Sequence, residues 1–284
     1  MSNTFQTSVN SMRRFLHRGW APFISLIAQF TPGLQRYQAR LSNGDKFFLD
    51  LREDMCFGIF FNEGQPHEIG TEKLFLKVLK PDAVVVDIGA NIGYYTRIAS
   101  KLVGAGGSVI AFEPMPAAYR VLQLNCADLA NVILFPVALG DKQGEATFYV
   151  RKKGDASSLW PDISSKKVQV QVDTLDNKLA KYPRIDFIKI DVEGFEPEVL
   201  AGAEKAIATH RPIVYFEFLQ RIAEERGFGF GNFETLFKKL NYHLKWVDHS
   251  ENRSSLFSAT PSNYVVAIPS EQMHMLQAVH DQNP

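Results

Sequence analysis

Short apolar runs alternate with amphipathic segments through the middle and the end of the chain. The apolar runs are rich in Val, Ile and Phe, and polar or glycine-containing turns bound them. Such runs predict strands buried on both faces, at Ala83–Ile88, Ser108–Phe112, Val132–Leu139, Ile185–Asp191 and Ile213–Phe218. Segments between them have apolar side chains at helical spacing and predict helices at Tyr94–Val103, Pro116–Asp128, Pro197–Thr209 and Phe233–Leu240.

This alternation predicts an α/β fold of the doubly wound, Rossmann-like type, with a mostly parallel sheet covered by helices on both faces. The third strand is the weakest prediction, because Pro136 cannot donate to a central ladder. Two extended segments near the end, Tyr242–Val247 and Asn263–Ile268, predict an antiparallel pair at one edge. Residues from about 144 to 173 show strand character without a clear helix, which predicts an inserted β-hairpin.

The first part of the chain does not follow the alternating pattern. Residues 1–40 predict one or two short helices broken near Pro32, and a turn at 42–45 leads into extended, aromatic-rich segments at Lys46–Leu51 and Phe57–Phe61. A helix over His67–Leu79 then precedes the first predicted strand. We therefore predict a small α/β extension at residues 1–66, followed by the main domain at residues 67–284.

Composition and charge narrow the class of protein. Hydrophobic residues make up 45% of the chain, which is enough for a large core. Lys plus Arg (31) equals Asp plus Glu (31), so no overall field favours nucleic acid, and we expect no nucleic-acid partner. The two cysteines, Cys56 and Cys126, lack metal-ligand spacing and fit a reducing compartment, so we expect a cytoplasmic protein that forms no disulfide. The sequence leaves open whether the protein forms a homodimer.

The N-terminal stretch carries two arginines ahead of an apolar segment, Trp20 to Phe30, which gives it some character of a twin-arginine export signal. Polar residues and a proline interrupt that segment, and no small-residue cleavage site follows it. No run in the chain reaches the length of a membrane span. We favour a basic amphipathic helix that packs on the domain or makes weak contact with a membrane surface.

The strongest chemical signal is the turn after the first predicted strand. Asp87 is followed by Gly89, Asn91 and Gly93, and a helix opens directly after them. The glycines allow a tight turn and close approach of a ligand to the helix N-terminus. A carboxylate there would repel a pyrophosphate but attract a cationic sulfonium compound with a free amino group. We expect this turn, together with Tyr95 in the helix, to bind such a ligand.

Two further acids follow predicted strands. Glu113 ends the second strand, where doubly wound folds place the ribose of a bound nucleoside, and its carboxylate can accept from both hydroxyls. Pro114 and Met115 are expected on a face of the adenine ring. Asp141, after the third strand, is expected to accept from the adenine amino group, although turn chemistry explains the same residue.

Candidate catalytic residues cluster at the ends of the fourth and fifth predicted strands. Asp191 ends the fourth strand, where open α/β sheets place their ligands, and Lys189 lies on the same face. A buried lysine must be paired, so Lys189 is either a site residue or half of a structural ion pair. Glu193 either acts in the site or caps the next helix, and Glu217 at the end of the fifth strand points to the same rim.

Taken together, these segments resemble the FkbM-type methyltransferases over about residues 60–220. The matching segments are Val86–Thr96, Ala111–Pro114, Val137–Gly140 and Ile188–Gly194. The resemblance implies the class I methyltransferase fold with S-adenosylmethionine as methyl donor. It also implies methylation of a hydroxyl on a small-molecule or glycan acceptor, such as a sugar, glycolipid or secondary metabolite. Residues 1–55 and 225–284 lie outside it.

These inferences predict transfer by in-line displacement, with an acceptor hydroxyl placed near Asp191. Asp191 is the leading base candidate, with Glu193, Glu217 and His249 behind it, and His249 is expected on the solvated surface. Mg²⁺ on Asp191, Glu193 and Glu217 is the alternative, which the ligand spacing does not favour. We expect a flexible connector or a lid at residues 226–232. A nicotinamide-dependent oxidoreductase, disfavoured by Asn91, and a non-catalytic nucleoside-binding protein are the rival functions.

Overall fold

The computed structural model describes residues 18–41, 43–62, 68–150, 166–249 and 256–274. Its strands form one large sheet and two small ones. In chain order they are β1 (Tyr37–Arg40), β2 (Lys46–Leu49), β3 (Val84–Ile88), β4 (Ser108–Phe112), β5 (Val132–Phe135), β6 (Ala138–Leu139), β7 (Gly144–Val150), β8 (Lys166–Asp173), β9 (Phe187–Ile190), β10 (Ile213–Glu217), β11 (Tyr242–Val247), β12 (Phe257–Ser258) and β13 (Tyr264–Pro269).

The large sheet has the spatial order β12-β11-β13-β10-β9-β3-β4-β5. Strands β10, β9, β3, β4 and β5 run parallel, whereas β13 and then β11 join antiparallel at one side. The predicted doubly wound sheet with an antiparallel edge is therefore confirmed. Since the chain leaves β3 toward β4 on one side and returns to β9 on the other, a ligand crevice is expected at the carboxyl ends of β3 and β9.

Helices cover both faces of this sheet. In chain order they are α1 (Ala21–Ala28), α2 (Pro32–Gln35), α3 (Phe57–Phe61), α4 (Ile69–Val78), α5 (Tyr94–Val103), α6 (Pro116–Cys126), α7 (Leu175–Leu179), α8 (Glu196–Ala201), α9 (Glu204–His210), α10 (Gln220–Glu225) and α11 (Phe230–Lys239). Among the described helices, none is long and apolar enough to cross a membrane.

The third predicted strand is shorter than expected. Strand β5 ends at Phe135, directly before Pro136, and β6 joins a separate three-stranded sheet of order β6-β8-β7. The proline cannot donate to a continuing ladder, so the chain changes sheets at this point. The predicted inserted hairpin is confirmed as the antiparallel pair of β7 and β8, and residues 151–165 between them lie outside the described part.

The single helix predicted over Pro197–Thr209 is two helices, α8 and α9. The chain breaks at Gly202, where a Cβ atom would lie 2.0 Å from the carbonyl oxygen of Gly140. This close approach packs the helix ends against the turn that follows β6. The last predicted helix starts earlier than expected, at Phe230. The Asn232 side chain caps its first turn by accepting from Gly229 N–H at 2.9 Å.

The N-terminal extension shares its core with the rest of the molecule. Strands β1 and β2 form an antiparallel hairpin, and its buried side chains Tyr37 and Phe47 lie in the same apolar cluster as Val85 and Tyr215 of the large sheet. The extended segment predicted at Phe57–Phe61 is wrong, because these residues form α3. The helical turn buries Phe57 and Phe60, three residues apart, in the same apolar cluster. The boundary predicted at residue 66 stays a prediction, since residues 63–67 are among those not described.

Helix α1 exposes an apolar surface. Five large side chains on and beside it are between 45% and 83% exposed: Trp20, Phe23, Leu26, Ile27 and Phe30. Its opposite side buries Ile24 and Ala28 in the main core. One side of α1 therefore packs in the core, and its exposed side is apolar where that of a solvated surface helix would be polar. Contact with a membrane surface stays a prediction.

Asn125 of α6 joins the N-terminal hairpin to the turn after β3. Its side chain is buried, accepts from Phe48 N–H at 2.6 Å, and donates to the carbonyl oxygens of Phe48 at 3.0 Å and Ile92 at 2.8 Å. One amide thus satisfies three backbone groups from two segments that are distant in sequence.

We predict that Asn125→Ala destabilises the protein by about 2–3 kcal/mol, because it leaves buried backbone groups without partners. Urea unfolding monitored by circular dichroism measures the change. Gln123→Ala is the matched control, since this amide is exposed on the same helix. Equal effects of the two substitutions would contradict the assignment of Asn125 as the link.

Candidate active site at the strand ends

The turn after β3 brings the backbone close to the next strand. Gly89 has φ of 74°, and a Cβ atom there would lie 1.9 Å from the carbonyl oxygen of Asp191. Gly93 has φ of 91° and begins α5, and a Cβ there would lie 2.7 Å from a methyl group of Leu122. Only glycine fits either position without movement of its neighbours. The predicted glycine turn is therefore in contact with the end of β9.

Glu113 fixes the outer side of this turn. Its carboxylate is buried at the end of β4, and it accepts from Asn91 N–H and from Met115 N–H, each at 2.8 Å. Asn91 itself has φ of 51°, a left-handed conformation that asparagine tolerates. Burial raises the pKa of Glu113 to about 7, against the lowering effect of the two backbone hydrogen bonds. Glu113 therefore lies beside the glycine turn, and its contact with a ribose stays a prediction.

Lys189 lies between two carboxylates. Its Nζ is 3.5 Å from Asp87 Oδ1 and 3.2 Å from Asp191 Oδ2, and the residue is 2% exposed. Thr96 of α5 donates to the other oxygen of Asp87 at 2.6 Å. Burial lowers the pKa of Lys189, but the carboxylates of Asp191 and Asp87 outweigh it, so the pKa is raised. The ammonium stays charged, and with both carboxylates ionised the three groups carry a net negative charge.

Three acidic side chains meet at the ends of β9 and β10. Asp191, Glu193 and Glu217 each offer a carboxylate oxygen, and these atoms lie within 4.8 Å of one another. Burial raises the pKa of Glu217 to about 10, and the carboxylates of Asp191 and Glu193 add to the effect. Burial also raises the pKa of Asp191, although Lys189 opposes it. The structure thus brings together the acids that the sequence placed at one rim.

Glu196 orders the turn that carries Glu193. Its Oε1 accepts from Val192 N–H at 3.1 Å and from Gly194 N–H at 3.3 Å, and the residue is 2% exposed. Glu193 takes φ of 56° between these two donors. The sequence left open whether Glu193 acts in the site or caps the next helix. In the structure Glu196 makes the backbone contacts, which leaves the Glu193 carboxylate in the acidic group.

Glu68, which the sequence did not single out, organises a set of hydroxyl groups beside this rim. It accepts from Tyr95 at 2.8 Å, from Thr71 at 2.9 Å and from Tyr264 at 2.8 Å. Tyr95 also places its ring 5.4 Å from Lys189 Nζ. The predicted ligand contact Tyr95 is thus part of a network that leads from Lys189 to α4. No local signal marks Glu68 or Tyr264, because their partners come from distant segments.

His249 is half-buried rather than freely solvated as expected. Its ring stacks on Tyr264 with centroids 4.5 Å apart, and its Nε2 is 3.4 Å from the Tyr215 hydroxyl. Gly70 of α4 leaves room for it, since a Cβ atom there would lie 2.8 Å from the imidazole ring. The absence of a side chain at Gly70 therefore allows the loop after β11 to reach the site.

The remaining predicted ligand contacts lie on the β6 side. Asp141 is exposed in the turn between β6 and β7, which agrees with its interpretation as a turn residue and leaves its role toward adenine a prediction. Met115 is buried in a small apolar cluster with Phe148 and Val170. Pro114 is half-buried between Glu113 and this cluster. Met115, whose N–H donates to Glu113, therefore places this apolar cluster beside Glu113.

The expected lid over residues 226–232 is mostly anchored. Arg226 donates to the carbonyl oxygen of Gly194 and to Glu198, and its guanidinium lies 5.4 Å from the ring centre of Phe195. From Phe230 onward the segment is helix α11. The connector is thus short and tied to the turn that holds Glu193.

The profile of the methyltransferase FkbM domain matches residues 87–244, which is more than half of the chain. The chain belongs to the FkbM methyltransferase family. The match begins at Asp87 and includes every acid of the rim, from Asp191 to Glu217. The sequence-based resemblance to this family and the class I methyltransferase fold that it implied are therefore confirmed.

Three curated relatives illustrate the breadth of this FkbM family. The 2-O-methyltransferase NoeI of Sinorhizobium fredii is 29% identical over 159 residues, 49% of this chain and 64% of that protein. The 31-O-demethyl-FK506 methyltransferase FkbM of Streptomyces tacrolimicus is 30% identical over 181 residues, 49% of this chain and 67% of its own. The hexuronic acid methyltransferase AglP of Haloferax volcanii is 27% identical over 139 residues, which are 48% of this chain and 56% of that protein.

The alignments thus cover about half of this chain and about two thirds or less of these relatives. Glu68, His249 and Tyr264 lie outside the stretch that matches the FkbM domain. The site of this FkbM-family chain is therefore built from two sources, the family segment and the flanking segments that pack on it.

Glu196 gives a prediction for stability against pH. Burial raises its pKa to about 7, so the folded state binds this proton more tightly than the unfolded state. The contribution of Glu196 to stability is then present at pH below about 4.5 and is lost as the pH rises through about 7. Glu196→Gln keeps an acceptor oxygen but has no charge, and we predict that it gains stability relative to the wild type between pH 5 and pH 8.

Thermal unfolding at several pH values measures this difference. Glu196→Ala is the companion variant, because it removes the acceptor and should be less stable than the wild type at every pH in this range. A glutamine variant whose unfolding temperature follows that of the wild type at all pH values would refute the assignment.

Proposed function

We propose that this chain is an S-adenosylmethionine-dependent O-methyltransferase that acts on a hydroxyl of a sugar, glycolipid or secondary metabolite. One observation carries the proposal: a buried glutamate at the end of β4 holds a glycine turn that itself contacts the acidic end of β9. A nucleoside crevice and an acidic acceptor rim are thereby in direct contact, as transfer of a small group between two bound molecules requires.

The residues present fit the methyl donor. Each oxygen of Glu113 accepts one backbone N–H and keeps capacity for a further donor, such as a ribose hydroxyl. Gly89 and Gly93 form the tight turn that leads into α5, and backbone N–H groups at a helix N-terminus can donate to polar groups of a ligand. The net negative charge of Asp87, Lys189 and Asp191 favours a positively charged ligand. The donor supplies an electrophilic methyl group on a sulfonium.

The same charges argue against a nicotinamide dinucleotide. Such a ligand places a pyrophosphate at the glycine turn, where the central position is normally a glycine. Here that position is Asn91, and its N–H already donates to a carboxylate. An anionic pyrophosphate would have to approach Glu113 and displace this hydrogen bond.

On the acceptor side, the chain must orient a hydroxyl and take up its proton. Asp191 is held by Lys189 through Oδ2, and its side chain is 23% exposed, so the group can face a bound molecule. Burial raises its pKa, which makes it a stronger base than an ordinary carboxylate. We assign Asp191 as the residue that accepts the hydroxyl proton, and Lys189 as the residue that positions it.

The names of the relatives support the acceptor class. Two of them specify transfer to oxygen, NoeI as a 2-O-methyltransferase and FkbM as a methyltransferase of 31-O-demethyl-FK506, and AglP acts on a hexuronic acid. The acceptors in these names differ in size and chemistry. We therefore assign acceptor selection in this chain to residues outside the family segment. The candidates are Tyr264, which pairs in register with Glu217, and His249, which stacks on Tyr264.

Calorimetric titration with S-adenosylhomocysteine tests the donor site. We predict that the wild-type protein binds it and that Glu113→Gln weakens the affinity by a factor of at least about 10, because a charge-assisted hydrogen bond is lost. Titration of the wild type with NAD under the same conditions should give no binding heat.

Glu145→Gln is the matched control, because Glu145 is exposed on β7 and contacts only Gln171 in the described part of the chain. It should bind like the wild type. Unchanged affinity in a folded Glu113→Gln variant would refute the assignment of the donor site, and binding of NAD alone would refute the proposed function.

A further inference from the structure

Three acidic side chains converge on one space at the ends of two neighbouring strands. Asp191, Glu193 and Glu217 bring three carboxylate oxygens within 4.8 Å of one another. The ammonium of Lys189 contacts Asp191 and Asp87, and no ion pair of Glu217 is found among the described residues. Three acids therefore converge from two strand ends, and the ammonium of Lys189 lies beside Asp191.

Glu217 supplies an independent observation. The residue is 7% exposed, and its Oε2 is buried without a hydrogen-bond partner among the described residues. A buried carboxylate oxygen normally has a partner, because its desolvation is costly. This oxygen belongs to the side chain that meets Asp191 and Glu193, so the missing partner belongs in the same space.

We propose that Asp191, Glu193 and Glu217 bind a divalent metal ion that prefers oxygen ligands, such as Mg²⁺ or Mn²⁺. Carboxylate oxygens are the protein ligands of such ions. The ion supplies a partner for the buried oxygen of Glu217 and lets the three carboxylates lie close together in their ionised forms. The spacing of these residues along the sequence gave no diagnostic pattern, because Glu217 comes from a different strand.

The ligands are held in place by contacts independent of the ion. Asp191 is anchored by Lys189 and by its own N–H, which donates to Ile88 at 3.0 Å. Glu193 is presented by the turn that Glu196 organises. Glu217 ends β10, where it pairs in register with Tyr264 of β13. A site whose ligands are fixed beforehand loses less conformational entropy when the ion binds.

The location of the ion gives it a role, and this part rests on the proposed function. Three carboxylates leave further coordination positions for water or for oxygen atoms of an acceptor, since Mg²⁺ prefers octahedral geometry. A hydroxyl bound there loses its proton more readily, because the ion stabilises the alkoxide. With the ion present, an acceptor with neighbouring oxygen atoms, such as a sugar diol, would be oriented by two of them.

Titration with Mn²⁺ tests the site directly. The electron paramagnetic resonance signal of free Mn²⁺ disappears on binding, so the signal counts bound ions. We predict one Mn²⁺ bound per chain, displaced by excess Mg²⁺ and unaffected by Na⁺ at equal ionic strength. Glu217→Gln should weaken binding by more than about tenfold, since the loss of supporting residues outside a metal's ligand set already costs that much.

Glu234→Gln is the matched control, because Glu234 is exposed on α11, and it should bind Mn²⁺ like the wild type. Circular dichroism establishes that each variant is folded. If Glu217→Gln does not fold, Glu193→Gln, whose side chain is only partly buried, replaces it. Absence of Mn²⁺ binding by the wild type, or equal binding by the wild type and the folded ligand variant, overturns the proposal.

Titration of the same preparations with S-adenosylhomocysteine separates this proposal from the proposed function. Binding of the nucleoside without uptake of Mn²⁺ rejects the metal site and leaves the methyltransferase assignment intact. Uptake of Mn²⁺ without binding of the nucleoside rejects the methyltransferase assignment and retains the metal site.

Discussion

A buried ammonium group sets the arrangement at the centre of this molecule. Lys189 lies inside the parallel sheet, where an unpaired positive charge would be costly, and two carboxylates from neighbouring chain segments surround it. Asp87 is its direct neighbour in the strand register, and Asp191 follows two residues later on its own strand. A slip of one residue between β3 and β9 would separate these charges. The ion pairs thereby fix which loops meet at the strand ends.

The surroundings of Lys189 connect the family segment to the flanking segments. The ring of Tyr95 lies beside the ammonium, and its hydroxyl donates to Glu68 at the start of α4. Glu68 in turn accepts from Tyr264 of β13, on which His249 stacks. A chain of direct contacts therefore runs from the charged centre to residues that the FkbM domain profile does not include. The part of the site shared with the family and the part particular to this chain form one network.

The sequence could predict those features whose cause is local. Val and Ile runs between helical segments determine a parallel sheet, and the turn from Asp87 to Gly93 has its glycines where the backbone needs them. Glu113 and Asp191 follow strands, so their shared rim follows from the topology alone. Pro136 likewise marked the weak strand, and the structure shows that the chain changes sheets there.

The other features depend on contacts between distant segments. Glu68 precedes a helix as an ordinary polar residue, and its three hydroxyl partners come together only when the sheet forms. His249 was expected in solvent because its neighbours in sequence are polar, whereas Gly70 admits its ring in the folded molecule. The aromatic run at Phe57–Phe61 has strand character locally, but packing against the core makes it a helix.

The contact between Gly89 and the backbone of Asp191 has a consequence for the history of such proteins. These two turns carry the two halves of the site, and no side-chain atom fits between them. A larger residue at position 89 would survive only if the opposite turn had already retreated. A change of residue at position 89 therefore has to be accompanied by a change in the Asp191 turn, so the two loops are bound to vary together.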